Sequence, residues 1–183
     1  MTQPFFAIMD GEHSVATRDR GEFDEANLCL TERGQLSELD FEREALRRGW
    51  IVCTPRGGTR NFDAIITRQD SRPILVQVKR ARRQRMYQHV YAIRCCRRDR
   101  NKAKNISYSS TAFDVLAAHL CDVGRWVFYT RAEIGNRTGL SFALPNERKS
   151  SRRRAGWPAI RDPDNWELLD EVAQSFNHPQ QTP

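Results

Sequence analysis

Apolar and polar positions alternate with a period of two from Asn61 to Lys79, on either side of a polar turn at Gln69-Asp70-Ser71-Arg72-Pro73. In the second run Leu75, Gln77 and Lys79 share one face, and Ile74, Val76 and Val78 share the other. In the first run Phe62, Ala64 and Ile66 share a face, with Asp63 and Ile65 opposite. A regular hairpin brings Asp63 to within about a residue of facing Gln77. Upstream, Leu36, Leu39, Ala45 and Leu46 form a broad apolar stripe that predicts a helix from Thr31 to Arg48. Thr31 or Ser37 caps it, Gly49 stops it, and Glu38 lies beside the stripe. Trp50 to Thr54 is strand-like and closes at Pro55 and the turn Arg56-Gly57-Gly58-Thr59.

Downstream, Val90 to Cys96 is strand-like and passes into a polar, basic loop reaching Asn105. Phe113, Leu116, Ala117 and Leu120 recur at i, i+3, i+4 and i+7, predicting a second helix over Ser109 to Leu120 with Thr111 as N-cap. Trp126 to Thr130 reads as a strand, and Ser141 to Leu144 as an edge strand stopped by Pro145. A last helix starts near Asp164 or Asn165 with Trp166, Leu169, Ala173 and Phe176 on its apolar face. The expected organisation is an N-terminal arm or loop of unassigned role (1–30), a core (31–145), and a basic loop, C-terminal helix and flexible tail (146–183). The order of elements implies an α/β fold with a central mixed sheet flanked by helices.

Composition narrows the function. The 183 residues suffice for one domain with a sizeable core, 39% of them are apolar, and the mean hydropathy is −0.71. No run approaches the roughly 18 apolar residues of a membrane span, and Met1 to His13 lacks the pattern of a signal peptide. A cytoplasmic protein with no membrane partner is therefore expected. Cys29, Cys53, Cys95, Cys96 and Cys121 show no zinc or disulfide spacing and fit reduced thiols, and the four histidines are scattered. The net charge of +7 is uneven, with arginine and lysine concentrated between Lys79 and Lys104 and again at Arg148 to Arg154. Arginine clusters suit phosphate contacts and so point to nucleic acid.

The hairpin supplies the candidate chemistry. Hydrolysing a phosphodiester needs an oriented water, a cation at the scissile oxygens and stabilisation of the developing charge. Mg²⁺, with Mn²⁺ as a substitute, takes oxygen ligands and needs only one or two protein carboxylates. Asp63 suits the principal ligand, Gln77 offers an amide oxygen, and the Val78 backbone carbonyl is close by. Lys79 can position the water or steady negative charge. Glu38 reaches the metal through water if the first helix packs across the sheet. Arg80, Arg82, Arg83, Gln84 and Arg85 flank the site; with Arg56, Arg60, Arg97, Arg98, Arg100, Lys102 and Lys104 they are the candidate nucleic-acid contacts. Singly, each site residue has an ordinary alternative: Asp63 as a turn cap, Gln77 in edge hydrogen bonds, Lys79 laid along apolar surface.

The helix Glu38, the strand Asp63 in Asn-Phe-Asp and the Gln77-Val-Lys79 triplet together resemble the PD-(D/E)XK nuclease superfamily. The Q-x-K form, the Gly34-x-x-x-Glu38 spacing, the Arg-x-Gly-Trp segment before the hairpin and the later Phe-Asp-x-Leu-Ala segment are similar to a branch. That branch includes homing endonucleases of bacterial group I introns. The resemblance implies a restriction-endonuclease-like core, Mg²⁺-dependent cleavage of double-stranded DNA, catalytic roles for Glu38, Asp63, Gln77 and Lys79, and a homo-oligomer, dimer or tetramer. Phe62 stands where the name's proline would be, and Gln77 replaces the usual acid, removing a charge from the metal site. Two alternatives stand beside a homing-type enzyme: a nuclease selective for branched DNA such as Holliday junctions, and a catalytically weak DNA-binding protein on the same fold.

Overall fold

The structure is a computed structural model; it describes residues 27–56, 60–69, 71–87, 89–99, 104–145 and 159–175. The N-terminal arm, Gly57, Gly58, Thr59, Arg100, Lys102, the basic 146–158 segment, Phe176 and the tail lie outside the described residues.

Strand β3 (Ile74–Arg80) is the centre of the fold. A five-stranded sheet runs β1 (Ile51–Cys53), β2 (Ala64–Thr67), β3, β8 (Val115–Leu120), β9 (Arg125–Thr130). All its pairings are antiparallel except β3 with β8, which is parallel. A second sheet runs β11 (Ala159–Ile160), β10 (Gly139–Ala143), β5 (Val90–Arg94), β4 (Arg82–Arg83). A separate two-stranded ribbon is formed by β6 (Cys96–Asp99) and β7 (Lys104–Ser107). Helix α1 (Leu30–Arg47) and helix α3 (Glu167–Ser175) cover one face of the five-stranded sheet; α2 (Arg131–Ile134) is a single capped turn after β9.

Two cores follow from this layering. On the helix side Ala64, Ile66, Ile74, Val76, Val78, Val115, Ala117 and Phe128 meet Phe41 and Ala45 of α1 and Leu169 and Ala173 of α3. On the other side Leu116, Ala118, Leu120, Val127 and Tyr129 meet Tyr91, Ile93, Leu140 and Phe142 of the second sheet. The central strands β3 and β8 are thus largely covered on both faces, which is how this parallel pair is accommodated.

Several sequence expectations are corrected. The segment expected as a second helix is instead β8, with all six residues buried. Its run of Val, Leu and Ala is continuous because both faces are covered, and a short continuous apolar run satisfies helical spacing as well as strand burial. Helix α1 forms, but Leu39 and Leu46 are 60% and 58% exposed. The buried stripe is Ser37, Phe41 and Ala45, at i, i+4 and i+8, and the N-cap is Cys29. Gly49, at φ +79°, ends the helix as expected. Strand β10 is interior to its sheet, between β5 and β11, rather than an edge. The basic loop after Cys96 contains the β6–β7 ribbon. Phe62, placed before β2 begins, packs on the opposite core from Ala64 and Ile66.

Phe41 is fully buried, stacked on Trp166 with centroids 5.7 Å apart and edge-on to Trp126 at 5.5 Å. Phe41→Ala is expected to cost about 3–5 kcal/mol in chemical denaturation, as removal of an aromatic side chain from a packed core does. A loss below about 1 kcal/mol would show that α1 is not docked on the sheet as described.

Candidate active site

The site is assembled where β2 stops short of the end of β3. The last paired rungs are Ala64 with Val76, Ile65 with Leu75 and Ile66 with Ile74, so the next rung sets Asp63 opposite Gln77. The Asp63 backbone N–H donates to the Val76 carbonyl at 2.8 Å. Beyond it the carboxylate replaces backbone: Asp63 Oδ2 accepts the Val78 N–H at 2.8 Å and a short hydrogen bond from Gln77 Nε2. Gln77 Nε2 also donates to the Val78 carbonyl at 3.2 Å, and the side chain is only 2% exposed. Asp63, Gln77 and the Val78 carbonyl, three residues of the expected metal set, therefore converge on one point. As described, the Gln77 amide presents its N–H₂ there, so ligation through its oxygen requires the amide to turn over.

Lys79 is on the same strand face as Gln77, two residues on. Its Nζ lies 6.0 Å from the centre of the Tyr108 ring, itself buried edge-on to Phe113. Lys79 and Glu38 both line a cleft of about 420 Å³, together with Arg33, Arg80, Arg82 and Arg94. Burial pushes the Glu38 carboxyl up to about 7, with a further push from the Asp63 charge and a partial opposing effect of Lys79. Burial also raises Asp63, against the lowering effects of Lys79, the Val78 N–H and the Gln77 amide. Two carboxyls raised by burial, one of them further by the charge of the other, form an electrostatically strained set that a divalent cation would relieve. The donors are oxygens, the hard set that Mg²⁺ and Mn²⁺ accept. Among the described residues no group of three or more His, Cys, Asp or Glu side chains is placed to hold a metal, in keeping with Gln77 at the usual acid position.

The turn of α1 that carries Glu38 is fixed by a contact absent from the sequence reading. Ser37 Oγ lies 3.2 Å from His119 Nδ1 and 3.7 Å from Cys121 Sγ, and that nitrogen is also 3.3 Å from the thiol. His119 stacks on Trp126 at 4.3 Å, and its Nδ1 stands 4.0 Å from Asp40 Oδ2. The period-two spacing of His119 and Cys121 was a signal for this pairing only once Val115–Leu120 is a strand.

A family model described as PD-(D/E)XK endonuclease matches residues 30–159, more than two thirds of the chain. The chain belongs to the PD-(D/E)XK endonuclease family. No curated protein matches the sequence. Among solved structures, that of a bacterial homing endonuclease, I-Ssp6803I, is similar at 18% identity and a TM-score of 0.64, covering 85% of this chain and 100% of that one. This likeness establishes the restriction-endonuclease-like fold, which the mixed sheet and its helices bear out.

The expected DNA contacts of this PD-(D/E)XK chain fall into separate groups. Arg80 and Arg82 line the cleft at Lys79, where Arg33 and Arg94 join them; these two escaped the sequence reading because Arg33 is one of many helix charges and Arg94 ends a strand. Arg97 lines a second trough, with Asn61 and Tyr108. Arg83 instead forms a short ion pair with Asp122 and lies 4.6 Å over the Tyr91 ring. Gln84 donates to Ser141 Oγ at 3.1 Å, bracing β10. Arg56, Arg60, Arg85 and Lys104 are exposed, and Arg98 lies on β6 opposite Asn105. Among the described residues no helix is long and apolar enough to cross a membrane.

A carboxyl whose pKa is raised by folding binds its proton more tightly in the native state, so its contribution to stability is fully present below the unfolded value near 4.5 and is lost as pH rises through about 7. In metal-free protein, Glu38→Gln is accordingly expected to raise Tm above that of the wild type at pH 8 by several degrees. The two should converge below pH 5. Parallel curves across that range would contradict the placement of Glu38 half-buried within reach of the Asp63 charge.

Proposed function

We propose that the protein is a divalent-metal-dependent DNA endonuclease, with Asp63, Gln77, Lys79 and Glu38 at its site and Mg²⁺, or Mn²⁺ in its place, as cofactor. Endonuclease function follows from the family; the metal, the substrate form and the residue roles are the proposal. The convergence of Asp63 Oδ2 and the Val78 carbonyl beside Lys79 carries it. Ordinary caps and edge hydrogen bonds do not gather a half-buried acid, a buried amide and a lysine at the end of one central strand.

Asp63, the Val78 carbonyl and, with its amide turned over, the Gln77 oxygen would hold the cation, with Glu38 beside them, and the cation would supply positive charge at the scissile oxygens. Glu38, with its carboxyl near 7, is poised to take a proton from the attacking water onto a carboxylate oxygen. Lys79 can donate a hydrogen bond to that water or to a non-bridging phosphate oxygen. Arg33, Arg80, Arg82 and Arg94 surround the same cleft and suit the flanking phosphates. Double-strand cleavage needs two such sites on opposite strands, so a homo-oligomer, dimer or tetramer, acting on duplex DNA is proposed. The neutral Gln77 favours one second reading: DNA binding on a catalytically weak core.

Full-length protein with Mg²⁺ is expected to nick or linearise plasmid DNA, and Asp63→Asn and Lys79→Ala each to slow it at least ~100-fold with unchanged circular dichroism. Full activity in both variants would overturn the site; tight, salt-sensitive binding with no cleavage under any divalent ion would favour the weak-core reading. Four-way junctions run beside linear duplex decide substrate form. Gln77→Glu restores the missing charge and should lower the Mg²⁺ concentration giving half-maximal rate about tenfold.

A further inference from the structure

The β6–β7 ribbon pairs with neither sheet. Residues 96–107 hold five basic side chains (Arg97, Arg98, Arg100, Lys102, Lys104) against one acid, Asp99. Many other arginines of the chain are spent on structure: Arg131 is buried and donates to the Ser109 carbonyl at 2.8 Å, Arg161 pairs with Glu133 at 2.6 Å, and Arg83 pairs with Asp122. Arg97 and Lys104 are exposed, and neither forms an ion pair among the described residues.

Register fixes which residues act together. Arg97 faces Ile106 and Asp99 faces Lys104, so with a period of two Arg97, Asp99, Lys104 and Ile106 lie on one face of the ribbon, three of them able to donate to or pack on a base and one an acid set across from Lys104. The base of the ribbon is anchored at both strands. At one strand, buried Cys95 donates its N–H to the Thr138 carbonyl at 2.9 Å; at the other, Tyr108 is packed on Phe113 with its ring 6.0 Å from Lys79 Nζ. Between the ribbon and the approach to Asp63 lies a trough of about 470 Å³, lined by Asn61, Arg97, Ser107, Tyr108 and Asn136. The ribbon is therefore held in fixed register with the candidate catalytic end of β3.

We propose that the β6–β7 ribbon enters a groove of DNA beside the cleaved phosphate and reads base edges there, with Arg97 and Lys104 as the residues that set sequence preference. This rests on the DNA endonuclease reading above. Holding a phosphate needs only a positive charge within reach, for which a flexible loop is enough. Reading a base edge needs a donor held at a set height and angle, which a hydrogen-bonded ribbon on a packed root provides. The major groove, about 12 Å wide, admits a two-stranded ribbon, and its guanine edge offers the paired acceptors that Arg and Lys match. Ile106, half-buried between them, suits a thymine methyl.

The experiment is selection from duplexes of randomised sequence by full-length protein in EDTA, with the bound fraction sequenced. The wild type should enrich a motif. Arg97→Ala/Lys104→Ala should lose at least tenfold of the preference at one to three positions of that motif, and keep its other positions. Arg82→Ala, in the cleft, should bind uniformly less tightly with the motif intact. Enrichment of an unchanged motif by the ribbon variant, with a uniform loss of affinity and a shallower salt dependence, would overturn the proposal and leave the ribbon a phosphate contact. Absence of any motif in the wild type would overturn it as well. Plasmid cleavage with Mg²⁺ separately tests the endonuclease reading, so a protein that cleaves but fails the selection, or passes the selection without cleaving, identifies which of the two is wrong.

Discussion

The parallel pairing of β3 with β8 is the constraint from which the rest of the molecule follows. It makes β3 an interior strand, bonded to β2 on one edge and to β8 on the other. Strands so placed need both faces covered, because a parallel pair brought together by a long crossover has neither a hairpin nor a solvated face to fall back on. The helices supply one cover and the second sheet the other. The end of β3 then becomes the one region where this doubly buried strand outruns its β2 partner, and there side chains take over from backbone.

That takeover explains why a half-buried acid persists in the site. Asp63 completes the hydrogen bonding of the Val78 N–H left without a β2 partner, and Gln77 closes the arrangement by bonding both the carboxylate and the Val78 carbonyl. Removing these groups from water is costly unless they are hydrogen-bonded, and the carboxylate remains raised despite its bonds. The same surroundings push Glu38 to about 7. Structure and chemistry are coupled at Asp63, which both satisfies the strand end and repels Glu38, so that a cation would be welcome there.

Helix α1 reaches the site from the opposite core. Its apolar face docks Phe41 among Trp126 and Trp166, and Ser37 meets His119 on β8 one residue before Glu38. A single turn of helix is thereby held by aromatic packing and by a polar contact to the strand next to β3. The exposed Leu39 and Leu46 follow from the same docking, since a helix that presents Ser37, Phe41 and Ala45 inward must turn those positions away.

The sequence by itself brought the β2–β3 register to within about a residue, because a period-two pattern flips every side chain if it slips by one. Asp63 opposite Gln77, with Lys79 on the same face, was legible on that ground, and Gly49 marked the end of α1 through its positive φ. The family pattern linked Glu38 to them across a distance that periodicity does not bridge. Only the tertiary structure decided that Val115 to Leu120 is a strand: burial on both faces removes the polar positions that would distinguish the two periods, so Phe113, Leu116, Ala117 and Leu120 fit a helix equally well. It alone separated the arginines of the cleft and ribbon from those locked in ion pairs, and it alone brought Ser37, His119 and Cys121 together. Those contacts depend on which elements become neighbours, and neighbourhood is set by packing of the whole core rather than by any local stretch of chain.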